Sequence, residues 1–305
     1  MPLKPSRSGS ADPAERLPRR RGDLALRENH MNAALEVPIW LLQKAPLRWR
    51  RFAGKVPGLR TFANKLYPQG PELFALANPL EGHHMHLHWG SRKGFVFGTW
   101  EPHVVEAIQH KVRPGQVVVD VGAHFGYFTL LLAKRVGPSG TVVAFEPNRN
   151  IFEILKENVA LNGYGNVTLE NKAVADRSGQ VELRLSSRLP LEGIDSILSD
   201  PDPGSSPRIK VLAVRLDDYF SSGNDSRVRF VKIDIEGAEA VALAGMSRIL
   251  HEDRPVLVIE PHGADGCPGE HPAFSKLKES GYEVSVLNVA DSRAHILAEP
   301  MHTRG

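Results

Sequence analysis

Short apolar runs alternate with helix-like segments along the chain from about residue 92 onward. The first run, QVVVDVG, leads into FTLLLAKRVG, where apolar residues recur at helical spacing until Gly137 and Pro138 end the segment. Strands that alternate with such helices are typical of parallel sheets with crossover connections. The pattern therefore predicts an α/β fold with a doubly wound, mostly parallel sheet. Further strands are predicted in TVVAFEP, VTLENKAVA, VELRL, KVLAVRL, VRFVKIDIEG, RPVLVIEPHG, YEVSVLN and HILAEP.

The chain divides into three parts by composition and charge. Residues 1–70 carry 14 Lys and Arg against 5 Asp and Glu, whereas the rest of the chain carries 24 against 30. We predict a disordered basic tail over 1–30 and an N-terminal extension over 31–91. If the main domain binds a cofactor and a second substrate, the acceptor, this extension would cap the side on which the acceptor binds. The main domain is predicted to span 92–300.

Aromatic and basic side chains interleave within the extension, over residues 39–68. One interpretation is a surface that contacts anionic lipid or nucleic acid. The other, which we favour, is a set of helices broken near Pro46 and Pro57 that pack on the main domain with snorkelling basic side chains. No clear nucleic-acid partner is predicted, and weak contact with a membrane surface stays an alternative.

The overall composition, 41% hydrophobic and 24% charged, is that of an ordinary soluble globular protein. The single cysteine, Cys267, excludes an internal disulfide framework and fits a reducing compartment. No stretch approaches the roughly 20 apolar residues of a transmembrane helix. The segment MPLKPSRSGSADPAERLPRRRG lacks the apolar core of a secretory signal. We therefore predict a cytoplasmic protein without a transmembrane segment.

Charged side chains follow the apolar strands at the points where the strands are predicted to end. In a doubly wound sheet these carboxyl ends lie at one edge, and ligands bind there near the switch point. A solvated loop position explains any one of these residues, but their shared position predicts a ligand site. They are Asp120, Glu146, Asp234, Glu236, Glu260 and His262.

The loop in VVVDVGAHFGYF indicates which cofactor binds. The dinucleotide pattern G-x-G-x-x-G fails, because His124 and Tyr127 occupy the positions of its second and third glycines. Asp120 disfavours a pyrophosphate and suits a cofactor that carries an ammonium and a sulfonium group. Glu146 lies 20 residues after Gly126, where an acid can chelate two ribose hydroxyls. The loop favours S-adenosylmethionine over NAD.

The stretch from VVVDVGAHFGYF to KENVALNG, followed by AVADRSG and FVKIDIEGAEAVALAGMSRIL, resembles the FkbM-type methyltransferases. The resemblance covers roughly residues 95–290. It implies a class I methyltransferase Rossmann-like fold and an S-adenosylmethionine-dependent O-methyltransferase that acts on natural products or sugars. It also implies that the backbone of Gly122 faces the methionine part of the cofactor, while Gly126 allows close packing. A side chain at Gly122 is accordingly expected to harm cofactor binding far more than stability.

Other residues take roles from the same resemblance. His124 either lines the cofactor or caps the following helix. Trp100 and Glu101 match the family's segment over the cofactor pocket, or else form an aromatic brace and a helix-start acid. The cofactor-binding candidates are Asp120, Gly122, His124, Gly126, Glu146, Asp176 and Asp234.

A base that accepts the proton of an alcohol acceptor would assist methyl transfer. His262 has the appropriate ordinary pKa, near 6.5, and Asp234 is the next candidate. Glu101, Glu236 and Glu260 are candidates for binding the acceptor. Asp234, Glu260 and His262 could instead hold magnesium or another divalent ion, but the sequence does not favour a metal.

The histidine-rich segment GHHMHLHWG, residues 82–90, is the second candidate for metal binding. In an extended strand His84, His86 and His88 share one face, while His83 joins Met85 on the other. No cysteine or second histidine pair follows at zinc-finger spacing. A polar strand face, or histidines that line an acceptor pocket, is therefore favoured over zinc.

Two functions of different classes remain. The leading hypothesis is O-methylation of a hydroxyl on a small molecule, sugar or natural product. The alternative is a catalytically inactive scaffold with the same fold, which uses its basic N-terminal region to dock on membrane or nucleic acid. An NAD oxidoreductase is a distant third.

Overall fold

The computed structural model describes residues 40–55, 71–185, 207–221, 227–262, 271–290 and 293–301. The predicted tail, Cys267 and most of the Ser/Pro-rich loop over 199–207 lie outside these residues. Within them, every helix is too short or too polar to cross a membrane.

A seven-stranded sheet forms the centre of the structure, in the order β11-β12-β10-β9-β3-β4-β5. Its strands are parallel except β12, which lies antiparallel between β10 and β11. The chain leaves β3 in one direction toward β4 and β5 and later returns on its other side as β9, so the switch point lies between β3 and β9. The strands are β3 (Val117–Val121), β4 (Thr141–Phe145), β5 (Val167–Glu170), β9 (Val228–Ile233), β10 (Val256–Ile259), β11 (Tyr282–Ala290) and β12 (Arg293–Pro300).

Helices cover both faces of this sheet because the buried strands are apolar on both sides. Alternate residues such as Val118 and Val119 enter different apolar clusters, one on each face. On the first face lie α3 (Pro102–Lys111), α4 (Tyr127–Val136) and α5 (Arg149–Leu161); on the second lie α7 (Glu239–Ala244), the π-helical turn Ile249–Asp253 and α8 (Pro272–Glu279). The predicted doubly wound fold is confirmed.

Three strands form a separate small sheet in the order β6-β8-β7. They are β6 (Ala173–Val174), β7 (Gly179–Arg184) and β8 (Arg208–Val214), and α6 (Leu216–Tyr219) follows them. The predicted strands VELRL and KVLAVRL therefore exist, but they lie outside the central sheet.

Two asparagines attach the N-terminal hairpin to the main domain. The hairpin pairs β1 (Pro71–Ala75) with β2 (His84–His88), and α2 (Trp89–Val96) follows it. Asn158 lies on α5, and Asn162 directly follows that helix. The side-chain amide of each asparagine bonds a backbone N–H and a backbone C=O of β2, at 2.7–3.3 Å. The two side chains thus make hydrogen bonds to the β2 backbone that a neighbouring strand would otherwise make.

Within the histidine-rich segment, His84 and His86 lie on the outer side of β2. His84 is exposed and Met85 is buried, as alternation requires. His83 precedes the strand and its Nε2 lies 2.6 Å from the hydroxyl oxygen of Tyr164. This arrangement agrees with the favoured interpretation of a polar strand face.

The helix α1 (Leu47–Lys55) departs from the expected packing of the extension. Arg50 is buried and donates a hydrogen bond to the Phe97 carbonyl, which attaches the helix to the main domain. Trp49 and Phe52, however, are 56% and 62% exposed. The helix thus contacts the main domain as favoured, but Arg50 is buried rather than snorkelling and these two aromatic side chains are exposed.

Gly122 follows β3 with φ of 81°, and its lack of a side chain is required by the backbone beside it. A Cβ there would lie 1.9 Å from the carbonyl oxygen of Asp234, on the loop after β9. A side chain at this position therefore conflicts with the backbone itself, so we expect it to reduce stability as well as cofactor binding. Gly126 behaves as expected, since a Cβ would lie 2.7 Å from Leu155 Cδ1.

Replacing Gly122 with alanine should destabilise the fold more than replacing Gly163, which serves as the matched control. Gly163 has a similar φ of 69°, but a Cβ there would meet no atom within 4 Å. Gly163→Ala should cost about 1–2 kcal/mol for the left-handed backbone alone. Gly122→Ala should cost a further ~1–3 kcal/mol from the steric conflict, measured by urea unfolding. Equal losses of unfolding free energy in the two variants would show that the loop adjusts to the added side chain without a cost in stability.

Candidate functional site

A cavity of about 240 Å³ lies at the carboxyl ends of β3, β4, β9 and β10, across the switch point. The segment between α2 and α3 closes it on one side, with Trp100 at that wall. The structure thus brings together residues that lie far apart in the sequence. The predicted site residues that line the cavity are Glu101, Gly122, His124, Glu146, Asp234, Glu236 and Glu260.

Strained backbone concentrates at this cavity. Among the described residues, four non-glycine residues have positive φ, and three of them line the cavity: Glu101 at 36°, His124 at 50° and Glu236 at 56°. Such conformations cost of order 1–3 kcal/mol and persist where the surrounding structure enforces them, often at functional sites. The cavity is therefore the leading candidate for the functional site.

The first three backbone amides of the loop after β3 are already engaged within the protein. The N–H groups of Gly122 and Ala123 both donate to the Phe145 carbonyl at 3.0 Å. The N–H of His124 donates to Glu146 Oε2, also at 3.0 Å. Because a phosphate site needs unpaired backbone donors, this loop suits a cofactor without phosphate groups. The residue at the N-cap of α4 is Gly126, so His124 lines the cavity and does not cap the helix.

Glu146 follows β4 and is fixed at both carboxylate oxygens. Oε2 accepts from the His124 N–H and Oε1 accepts from the Asn148 N–H, at 3.0 and 2.9 Å. Each carboxylate oxygen has a second lone pair, and the residue lines the cavity. The geometry suits acceptance of hydroxyl hydrogens from a ligand. Asp176, in contrast, is exposed, does not line the cavity and lies 3.6 Å from Arg177.

Replacing Glu146 with glutamine should weaken binding of S-adenosylmethionine, since charged acceptors of two ribose hydroxyls are lost. We expect a loss of about 1.5–3 kcal/mol by calorimetry, roughly 10- to 150-fold in affinity. Asp176→Asn is the control and should leave the affinity unchanged, because this carboxylate lies outside the cavity. Reduced affinity in the control with unchanged affinity in Glu146→Gln would reverse the two assignments.

Asp120 does not occupy the place that the sequence suggested. It is fully buried, does not line the cavity, and accepts a hydrogen bond from Thr129 Oγ1 at 2.6 Å. Its burial raises its pKa, against the opposing effects of Lys232 and Thr129. A direct contact with the cofactor is therefore not supported. Asp120 instead stabilises the cation beside it.

That cation is Lys232, the penultimate residue of β9, which the sequence analysis missed. Nζ donates to Asp234 Oδ2 at 3.3 Å and lies 3.9 Å from Asp120 Oδ1. Burial alone would lower the pKa of Lys232, but Asp234 and Asp120 outweigh burial and hold it above its ordinary value. A charged lysine inside the apolar run FVKID was the available signal, because such a residue needs a buried partner.

His262 is surrounded by carboxylates and does not line the cavity. Its Nδ1 lies 2.9 Å from Oε1 of the buried Glu239, while Nε2 lies 3.2 Å from Glu236 and 3.5 Å from Glu260. Burial would lower the pKa of His262, but these carboxylates together raise it to about 11. The position of His262 outside the cavity and its raised pKa therefore do not support the expectation that it is the base, with a rate step near pH 6.5.

Asp234 is the remaining predicted base, and it does line the cavity. Lys232 engages Oδ2, whereas Oδ1 lies 4.0 Å from His262 Nε2, beyond hydrogen-bond distance. Asp234 thus places a carboxylate at the cavity wall, with Lys232 bonded to one of its oxygens.

The family described as Methyltransferase FkbM domain matches residues 120–284. The chain is 30% identical over 200 residues to the 31-O-demethyl-FK506 methyltransferase FkbM of Streptomyces tacrolimicus, which covers 57% of this chain and 75% of that protein.

Two further proteins resemble this chain over different shares of their own length. The chain is 31% identical over 209 residues to the AMB antimetabolite synthetase AmbE of Pseudomonas aeruginosa, covering 57% of this chain but 10% of AmbE. Among solved structures, methyltransferase FkbM from Methylobacillus flagellatus KT has 18% identity and a TM-score of 0.41, over 66% of this chain and 51% of that one.

Proposed function

This chain belongs to the FkbM methyltransferase family, whose members use S-adenosylmethionine, and we propose that it methylates a hydroxyl group of a small molecule. The observation that carries the proposal is the cavity at the switch point, where Glu146 and the carboxylate of Asp234 line the same space. The similar protein from Streptomyces tacrolimicus is named as a methyltransferase of 31-O-demethyl-FK506, a name that describes methylation at an oxygen atom. Sugars and natural products are the acceptor classes that the family resemblance implies.

The residues of the cavity fit S-adenosylmethionine. The loop amides of Gly122, Ala123 and His124 are all engaged within the protein, so the loop favours a cofactor without phosphates. We assign the ribose hydroxyls to Glu146 and the methionine part to the segment after β3. When bound, the cofactor supplies an electrophilic methyl group on a sulfonium sulfur, and that sulfur keeps the electron pair of the broken bond.

Asp234 is proposed to take the proton of the acceptor hydroxyl as the oxygen bonds to the methyl carbon. Lys232 holds Asp234 Oδ2 at 3.3 Å and so orients the carboxylate, leaving Oδ1 for the proton. Much of the acceleration of an in-line displacement comes from alignment of the reacting atoms, and base catalysis typically adds about 10²–10⁴-fold. Glu101, Glu236 and Glu260 remain the proposed contacts of the acceptor.

The alternative of an inactive scaffold is favoured by one observation, the exposed Trp49 and Phe52 on the basic helix α1. A scaffold would bind without turnover, so a transfer assay separates the two functions. Methyl-labelled S-adenosylmethionine should be incubated with paired acceptors that carry a hydroxyl or an amine at the same position. Label in the ether product supports the proposal. Label in the amine product alone would overturn it. Calorimetry that shows binding of NAD but no binding of S-adenosylmethionine would overturn it as well.

A further inference from the structure

Three side chains of metal-ligating types lie close together at the edge of the cavity, and two of them, Glu101 and Glu260, line it. Glu101 precedes α3, Glu260 follows β10, and His295 lies on β12, the antiparallel strand next to β10. Their side chains are 12%, 5% and 6% exposed. One ligand atom from each lies within 4.8 Å of the other two. Neither the fold nor the proposed methyl transfer so far uses His295.

The Nε2 atom of His295 faces the two carboxylates without a hydrogen bond. It lies 3.3 Å from Glu101 Oε2 and 3.3 Å from Glu260 Oε2. His295 Nε2 and Glu101 Oε2 are both buried and form an ion pair with each other, but neither atom makes a well-directed hydrogen bond. Buried polar atoms of this kind are rare and require an explanation, such as an ion between them.

The separations agree with the edges of a metal coordination shell. Four ligands at about 2.0–2.1 Å from a tetrahedral ion lie roughly 3.3 Å from one another. We propose that Glu101, Glu260 and His295 bind one divalent transition-metal ion, such as zinc, at the edge of the cavity. An imidazole ligand favours such ions over magnesium or calcium, which prefer oxygen ligands throughout.

The surroundings of His295 support this site. Its Nδ1 lies 2.8 Å from Nε2 of His103, a hydrogen bond that orients the ring so that Nε2 faces the carboxylates. Metal-bound histidines usually make such a bond through the second ring nitrogen, and its loss typically costs 10–100-fold in metal affinity. On the other side His262 lies 3.5 Å from Glu260 Oε1, which restrains this carboxylate.

The position of the ion also suggests its use, and this step rests on the proposed function. Glu101 and Glu260 line the cavity, so an open coordination position faces the space assigned to the acceptor. A divalent ion that binds the acceptor oxygen makes its hydroxyl more acidic. The released proton goes to Asp234, on the same cavity. The acceptor class would then be a hydroxyl compound that binds through oxygen to the metal.

Binding of cobalt(II) tests the site in the full chain without any turnover. The protein is dialysed against a chelator, then titrated with Co²⁺ and followed by calorimetry and by visible absorption of the bound ion. We expect one ion per chain. His295→Ala and Glu101→Gln should each weaken binding by roughly 100-fold or more, and His103→Ala by 10–100-fold. His110→Ala, on an exposed side chain, is the control and should bind as the unchanged protein does.

Other results would overturn the metal site. These are no binding of cobalt, or equal binding by His295→Ala and the unchanged protein. A loss of binding in Glu236→Gln with retention in His295→Ala would place the ion at the neighbouring group of Asp234, Glu236 and His262. If His295→Ala fails to fold, His295→Gln with a thermal melt provides the same comparison. Because cofactor binding is measured separately, failure here leaves the methyltransferase proposal standing.

Discussion

Asp234→Asn should lower turnover with a hydroxyl acceptor by about 10²–10⁴-fold while it leaves binding of S-adenosylmethionine within a few-fold. The substitution keeps the size of the side chain and a partner for Lys232, but it removes the carboxylate that accepts the proton. Single-turnover rates and calorimetry on the same variant separate the two effects. The expected pattern is a fall in kcat with little change in the Kd for the cofactor.

Asp218→Asn is the matched control for this experiment. Asp218 lies on α6 with its side chain 50% exposed and engages Arg215 and Ser178, away from the residues that line the cavity. Its replacement should leave turnover unchanged. If Asp234→Asn instead loses cofactor affinity and turnover in equal measure, Asp234 binds the cofactor and another group accepts the proton.

The strand ends were predictable because apolar runs mark where buried strands stop. Glu146 and Asp234 directly follow β4 and β9, and each lines the cavity. Asp120 is the exception because β3 continues through Val121. A shift of one residue turns a strand side chain to the opposite direction, so Asp120 points into a buried layer. The sequence pattern locates a strand end to within a few residues, which is too coarse for this choice.

The properties of His262 and His295 arise from tertiary contacts that no local pattern encodes. The neighbours of His262 are Glu236, from the loop after β9, and Glu239, from the helix that follows. These carboxylates raise the pKa of His262 above its ordinary value. His295 meets Glu260 because β12 inserts between β10 and β11 in the antiparallel direction. Periodicity predicts that a strand exists over HILAEP but does not determine which strand it pairs with.

Lys232→Met should be the most destabilising single change at the site. Lys232 is 3% exposed and is the cation beside Asp120, whose own side chain is fully buried. Removal of one partner leaves a buried carboxylate without its counter-charge, which typically costs about 3–5 kcal/mol. Methionine preserves most of the side-chain volume and the contact with Phe128. The loss of stability therefore measures the effect of the missing charge more than the effect of altered packing. Urea unfolding at neutral pH measures it.

The double variant Lys232→Met with Asp120→Asn decides whether the pair itself is responsible. Asparagine can still accept the hydrogen bond that Thr129 Oγ1 donates to Asp120, but it carries no charge. We expect the double variant to recover much of the lost stability, with a coupling energy in the upper part of the usual range of about 0.5–3 kcal/mol. Additive losses would contradict this account. In that case Asp234, at 3.3 Å, would be the main partner of Lys232, and Lys232→Met would impair catalysis more than folding.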